Sequence, residues 1–137
     1  MIKLKDLLFE NEAPNIFIPR KIEDRNSRFI NSLIRQYIND GNHGNLDFSS
    51  FGLRKLPPIL KGITVNGWFN CSLNNLTSLE NCPKIVIGNF YCSYNNLTSL
   101  EGAPQKVDRH FICHSNDVKF TEEQVRAVCD VKGRVFL

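Results

Sequence analysis

The pattern of apolar positions changes character near residue 41. Over residues 22–40, apolar residues recur at intervals of three and four, which is the spacing of an amphipathic helix. The apolar positions are Phe29, Ile30, Leu33, Ile34, Tyr37 and Ile38. Gly41 follows them, and glycine commonly ends a helix because it adopts positive φ without strain. We therefore predict a helical cap over residues 22–44, preceded over residues 1–21 by a leader or short helix and a linker.

Beyond this helix the apolar pattern recurs every 21 residues. Residues 69–89 and 90–110 are identical at 12 of their 21 positions. Residues 46–68 form a degenerate first copy that is two residues longer, and residues 111–131 form a decayed fourth copy. A fixed period with apolar columns is typical of stacked coils that bury each other's side chains.

Like residues occupy fixed places in the copies. Phenylalanine and cysteine, two positions apart, should face one side of a short strand. Asparagine comes where the strand ends, and its amide should bond the backbone of its own and the next copy. The columns are Leu46, Phe69, Phe90 and Phe111; Phe48, Cys71, Cys92 and Cys113; Asn74, Asn95 and Asn116; Leu53, Leu76, Leu97 and Val118; and Val65, Val86, Val107 and Val128.

The shared motif, Phe-x-Cys-x-x-Asn-x-Leu-x-x-Leu, matches the strand and turn of a leucine-rich repeat. We predict an α+β fold: a small leucine-rich-repeat solenoid of parallel strands over residues 45–131, with about four coils. A capping box, Thr121-Glu122-Glu123-Gln124, predicts a C-terminal capping helix. Its inward residues should be Val125, Val128 and Cys129, and Gly133 should end it. Residues 132–137 should add an edge strand.

The five cysteines have two interpretations. Three of them, Cys71, Cys92 and Cys113, lie at a strict period that could supply metal ligands. No histidine shares their column, however, and the spacing is not that of a CxxC zinc site. We expect reduced, buried thiols that pack as small apolar groups, including Cys82 and Cys129.

Residues that alternate with the inward phenylalanines and cysteines should point outward and form the functional face. This row, with the residues that flank the turn, holds the only Trp and two of the three Tyr of the chain. Trp and Tyr are enriched in protein interfaces and their hot spots, although a solvated sheet face is the alternative interpretation. The candidate protein-binding residues are Trp68, Asn70, Leu73, Asn89, Tyr91, Tyr94, His110, Ile112 and His114.

Two of these candidates could also carry chemistry. His110 and His114 are four residues apart on one predicted strand, so both should face outward and could ligate a metal or act in acid–base catalysis. The repeat places no carboxylate or third ligand beside them. We therefore expect no enzyme activity, no metal or other cofactor, and no small-molecule substrate.

Composition and charge limit the fold classes and the classes of partner that we expect. Sixteen Asn and only three Ala disfavour an all-helical bundle. The net charge is +3, and Lys and Arg form no basic stripe, so we expect no nucleic-acid partner. Asp6 and Glu10 interrupt the first apolar run, which is not a secretory signal. No apolar run exceeds three residues, so we expect a cytoplasmic protein without a membrane partner.

The tandem Phe-x-Cys-Ser-x-Asn-Asn-Leu-Thr-Ser-Leu-Glu-x-x-Pro resembles the short leucine-rich repeats of many proteins of T-even-type tailed bacteriophages and some bacteria. The resemblance covers residues 45–131. The preceding segments, residues 28–34 and 45–49, are also similar to those that lead into the repeats in that family. The resemblance implies a phage accessory protein that binds a host or viral protein in the host cytoplasm, and it implies no catalytic residue.

A second resemblance concerns the N-terminus. Leu8-Phe9-Glu10 resembles the Leu/Ile-x-Glu site that the prohead protease of such phages cuts. It follows a short amphipathic segment similar to the capsid-targeting leader of internal head proteins. This implies an alternative function, a packaged internal head protein of the virion with a cleavable leader. An ordinary amphipathic N-terminal helix is the simpler interpretation.

Overall fold

A computed structural model describes residues 19–137, with side-chain surroundings from residue 27 onward. Residues 1–18 lie outside the described residues, and they include the possible processing site Leu8-Phe9-Glu10 and most of the leader predicted over residues 1–21. The described chain is α+β, with helices α1 (Pro19–Asn39) and α2 (Glu122–Val128). None of the helices described is both long and apolar enough to cross a membrane.

Helix α1 confirms the amphipathic pattern. Ile30 and Ile34 are buried in the core, and Ile38, on the predicted apolar face, is 37% exposed near the last turn. Gly41 has a φ of +91° and donates its N–H to the carbonyl of Ile38. The helix therefore ends just before the glycine that the sequence indicates. Glycine adopts this positive φ at a lower free-energy cost than any other residue.

Two parallel sheets follow, each built from strands of two residues. The first sheet has the order β1 (Leu46–Asp47), β3 (Phe69–Asn70), β5 (Phe90–Tyr91), β7 (Phe111–Ile112) and β9 (Val135–Phe136). The second has the order β2 (Thr64–Val65), β4 (Ile85–Val86), β6 (Lys106–Val107) and β8 (Asp130–Val131). A short 3₁₀ helix, Pro58–Leu60, lies between the sheets in the first copy. Each copy therefore contributes one strand to each sheet.

The register of the first sheet puts the predicted apolar columns together. Phe69 pairs with Phe90, and Phe90 with Phe111. All three are fully buried, and the ring centroids of Phe69 and Phe90 are 5.9 Å apart in a stacked arrangement. The rings of Phe90 and Phe111 approach to 4.9 Å. The core between the two sheets is therefore a continuous stack of aromatic rings flanked by valines and leucines.

The fourth copy departs from the predicted register. Val131, not Val128, pairs with Val107, which lies 24 residues earlier. Val128 was predicted to face inward but is 49% exposed, and Val118 is 40% exposed. The physical reason is helix α2, which the predicted capping box does begin. The helix ends at Val128 rather than at Gly133, and it lengthens the return path by three residues compared with the 21-residue copies.

The predicted edge strand is confirmed at Val135–Phe136, where β9 pairs with β7. Helix α2 is tied to the segment after it by one side chain. Arg126 donates hydrogen bonds to the carbonyls of Val131 and Gly133, at 2.7 and 2.9 Å. It also pairs with the carboxylate of Glu122 one turn earlier. The guanidinium therefore satisfies carbonyls that the last turn of chain would leave without partners.

The asparagine column joins consecutive copies. Asn95 donates from Nδ2 to the carbonyls of Cys71, Cys92 and Ser93 at 3.0–3.2 Å. Its Oδ1 accepts the backbone N–H of Leu76 at 3.1 Å. Asn74 and Asn116 make equivalent bonds. Each asparagine bonds its own copy and the preceding copy, whereas the predicted bonds ran to its own copy and the next one.

All five cysteines are free and buried, which confirms the packing interpretation. Burial raises the pKa of the Cys71, Cys82 and Cys92 thiols, and it raises that of Cys129 to about 12 with a smaller contribution from Asp130. A side-chain interaction with the Cys92 thiol lowers the pKa of Cys113. The folded interior therefore disfavours the thiolate form at four of the five cysteines.

Replacement of a column asparagine should be costly. We expect Asn95→Ala to lower the free energy of unfolding by about 1–3 kcal/mol, because it leaves buried backbone groups without partners. Urea denaturation followed by circular dichroism measures this change. Asn96→Ala is the matched control, since Asn96 is the exposed neighbour. Equal midpoints for the two variants would contradict the bridging role.

Stability should fall at alkaline pH. Thiols in the unfolded chain ionise near pH 8.5, whereas burial raises the pKa of Cys82 in the folded chain. This contribution to stability is fully present below about pH 8.5 and is lost as the pH rises through the folded pKa. We expect the free energy of unfolding to decline between pH 8 and pH 10, and less steeply in Cys82→Ala. Identical slopes for the two proteins would refute this.

Candidate protein-binding face

The nine candidate residues lie on or beside one surface of the first sheet, which we call the strand face: Trp68, Asn70, Leu73, Asn89, Tyr91, Tyr94, His110, Ile112 and His114. The register aligns Asn70 with Tyr91, and Tyr91 with Ile112, on adjacent strands. Strand residues alternate sides, so these side chains point away from the buried phenylalanines. Leu73 and Tyr94 are each 54% exposed, and the other seven are half-buried.

Two aromatic pairs join neighbouring copies across this face. The rings of Trp68 and Tyr91 meet edge to face, with centroids 6.3 Å apart. Tyr94 and His114 make the same contact at 5.2 Å. Asn89 donates from Nδ2 to the hydroxyl oxygen of Tyr91 at 2.9 Å, which fixes that ring and leaves its O–H free to donate. The Trp68–Tyr91 pair is thus held in place by a group within the face itself.

The most exposed residues of the face occupy strained turns. Leu73 and Tyr94 have φ values of +58° and +54°, as Ser50 and Ser115 have at the same place in their copies. A residue with a Cβ costs on the order of 1 kcal/mol in this region, and glycine would cost nothing. A large apolar side chain that is mostly exposed at such a turn contributes little to the core. The fold therefore does not explain why Leu73 and Tyr94 are large and apolar.

One row of the face holds the copies together through side-chain acceptors. Asn45 Oδ1 accepts the N–H of Trp68 at 2.8 Å, and Asn89 Oδ1 accepts the N–H of His110 at 3.0 Å. His110 Nδ1 in turn accepts the N–H of Arg134 at 2.9 Å. Trp68 occupies the equivalent position in its copy, but an indole is only a donor. It is the one member of this row, among the described residues, that cannot bond the following copy in this way.

A second row was missed by the sequence analysis. Ser72 and Ser93 alternate with the inward residues and were expected to point to solvent, yet they are only 9% and 4% exposed. Ser72 Oγ accepts the N–H of Ser93 at 3.1 Å. The hydroxyl of Ser93 has no partner among the described residues. The two serines occupy the same place in their copies, so their position in the repeat does not reveal that only the hydroxyl of Ser72 is bonded. Whether the hydroxyl is bonded depends on the residue in the next copy.

The two histidines are engaged separately. His110 uses Nδ1 for the backbone of Arg134, and its ring meets Phe136 edge to face. His114 Nδ1 lies 3.0 Å from the hydroxyl of Ser115. Within residues 19–137 there is no group of three or more His, Cys, Asp or Glu side chains that could hold a metal. Each histidine therefore has a separate set of contacts, and the two are not brought together in one cluster of the described residues.

The strand face is electrically neutral when its histidines are uncharged. Its nine residues include no Asp, Glu, Lys or Arg, and charged groups flank it at Asp47 in β1 and Arg134 before β9. Asp47 is already bonded to the N–H and hydroxyl of Ser49. The second sheet, by contrast, carries the ion pairs Lys106–Asp108 and Lys132–Asp130. The two sheets thus present chemically different surfaces.

Comparisons of the whole chain with protein-family models, curated proteins and solved structures found no match. The assignment of a function therefore depends on the strand face itself.

The indole of Trp68 offers no acceptor to the next copy, so substitution of Trp68 tests how much such an acceptor stabilises the fold. We expect Trp68→Asn to be more stable than Trp68→Ala by about 1 kcal/mol, because only the asparagine supplies the acceptor that Asn45 and Asn89 supply in their copies. Both variants lose the aromatic ring, so their difference isolates the new hydrogen bond. Thermal or urea midpoints measure it. Equal midpoints would show that this row does not hold the copies together through side-chain acceptors.

Proposed function

We propose that this protein is a non-enzymatic protein–protein interaction module that binds a host or viral protein through the strand face. The observation that carries the proposal is the pairing of Trp68 with Tyr91 and of Tyr94 with His114 on a surface without charge. Clustered aromatic side chains on an exposed face are typical of protein contact sites. The exposed Leu73 beside them enlarges the apolar area.

The proposal includes a leucine-rich-repeat solenoid as the scaffold. Three features support it: the in-register pairing of strands from successive copies, the asparagine column that bonds consecutive turns, and an apolar column in each sheet. In such a scaffold each coil contacts only its neighbours. The exposed sheet then offers a surface whose side chains are free to serve a partner, since the core uses the alternate residues.

The resemblance of the repeat motif to those of T-even-type tailed bacteriophages supports a phage origin. On this proposal the protein is an accessory protein that acts in the host cytoplasm, where reduced cysteines persist. Its five free thiols are compatible with that compartment. The partner is then a protein of the host or of the virus.

The test is a pull-down from infected and uninfected host lysates with the tagged protein as bait. We expect Trp68→Ala combined with Tyr91→Ala to reduce recovery of the partner by at least about tenfold, the loss typical of removing hot-spot residues. Ile87→Ala is the matched control, because Ile87 is a similarly exposed apolar residue of the second sheet. Undiminished recovery with the double variant would refute the proposed face, provided that its circular dichroism spectrum is unchanged.

A further inference from the structure

At two positions the strand face lacks a hydrogen bond that neighbouring copies make. Each of these positions lies at or beside one of the two aromatic pairs. Trp68 stands where the equivalent residues Asn45, Asn89 and His110 accept a backbone N–H. Ser93, whose hydroxyl is buried without a partner, is followed by Tyr94 and precedes His114 by one copy. Local rules that a fold breaks without structural gain commonly mark functional positions.

The size of the face limits what can occupy it. The three strands that carry the nine residues, about 4.8 Å apart, extend about 10 Å across the sheet, and residues 68–73 extend at most about 17 Å along it. The face therefore has a footprint on the order of 200 Å², whereas a standard interface buries about 800 Å² on each partner. A second copy or a folded domain would be held weakly by this area alone. A single extended segment fits it.

Charge limits the chemistry of that segment. Two ionic groups lie at opposite edges of the sheet, Asp47 in β1 and Arg134 before β9, and the three strands between them offer no ionised side chain. A charged residue that binds over Tyr91 or Ile112 would lose hydration without gaining a partner, which is costly. The segment that fits best is therefore uncharged over about six residues, the length that spans the face along its strands.

We propose that the strand face binds a proline-rich segment of the partner in the polyproline II conformation, an inference that rests on the proposed function. Such a segment exposes its carbonyls and makes no internal hydrogen bonds. The indole N–H of Trp68 and the free hydroxyl hydrogen of Tyr91 are donors for those carbonyls. Aromatic ridges of this kind accept proline rings between them.

The rigidity of this conformation also favours it. Because the segment is already rigid, it loses little conformational entropy on binding. This property suits a face too small to order a flexible peptide.

The single tryptophan of the chain provides the test. The emission of Trp68 is titrated with synthetic end-capped peptides that contain Pro-x-x-Pro with uncharged x, and with a Gly-Ser peptide of equal length. We expect a saturable change with at least one of the proline peptides and none with Gly-Ser. Tyr94→Ala should weaken binding at least about tenfold, and Leu73→Ala, at the equivalent turn, serves as a second variant. Val128→Ala, exposed in helix α2, should bind like wild type.

The outcomes separate this inference from the proposed function. If no proline peptide changes the emission of Trp68 more than Gly-Ser does, or if Tyr94→Ala and Leu73→Ala both bind as wild type does, the inference is wrong. A lysate partner that still depends on Trp68 and Tyr91 would then leave the proposed function standing with a different segment. Sedimentation that shows a dimer lost in Tyr94→Ala would also overturn the inference, because a second copy would occupy the face.

Discussion

The structure depends on the hydrogen bonds by which Asn74, Asn95 and Asn116 join each copy to the one before it. Strands of two residues cannot satisfy the backbone that follows them, and the carbonyls of the buried Cys71 and Cys92 need partners. The amide of Asn95 bonds three carbonyls and one N–H in two copies. This constraint sets the distance and the register between copies. The stacked phenylalanines and the aromatic pairs of the strand face then follow from that register.

The same constraint connects the interior with the surface. Because copies are held in register, a residue at one place in the sequence period always meets its equivalent in the next copy. Inside, this produces a ladder of rings from Phe69 to Phe111. Outside, it places acceptor side chains under the next backbone N–H, and Trp68 departs from that row. The departure is visible only against the regularity of its neighbours.

Much of the fold could be predicted from periodicity alone. The 21-residue period fixed the phenylalanine, cysteine and asparagine columns, and the helix pattern identified Ile30 and Ile34. Prediction failed at Val128 because a fixed period assumes equal copies, while helix α2 adds three residues to the fourth. It failed at Ser72 and Ser93 because burial of a small polar residue depends on the size of neighbours in adjacent copies. The pairing of Trp68 with Tyr91 across copies was likewise beyond a one-dimensional pattern.

The alternation of the first sheet has a consequence for how such a protein changes over time. Core and surface residues alternate along the same short strand, so Phe90 can stay constant while Tyr91 is replaced. Substitutions at outward positions such as Tyr91 are therefore separated from substitutions in the core. Gain or loss of a whole copy would widen or narrow the surface by one strand without altering the others. On the proposed function, sequence drift at the outward positions tracks a changing partner at little risk to the phenylalanine core.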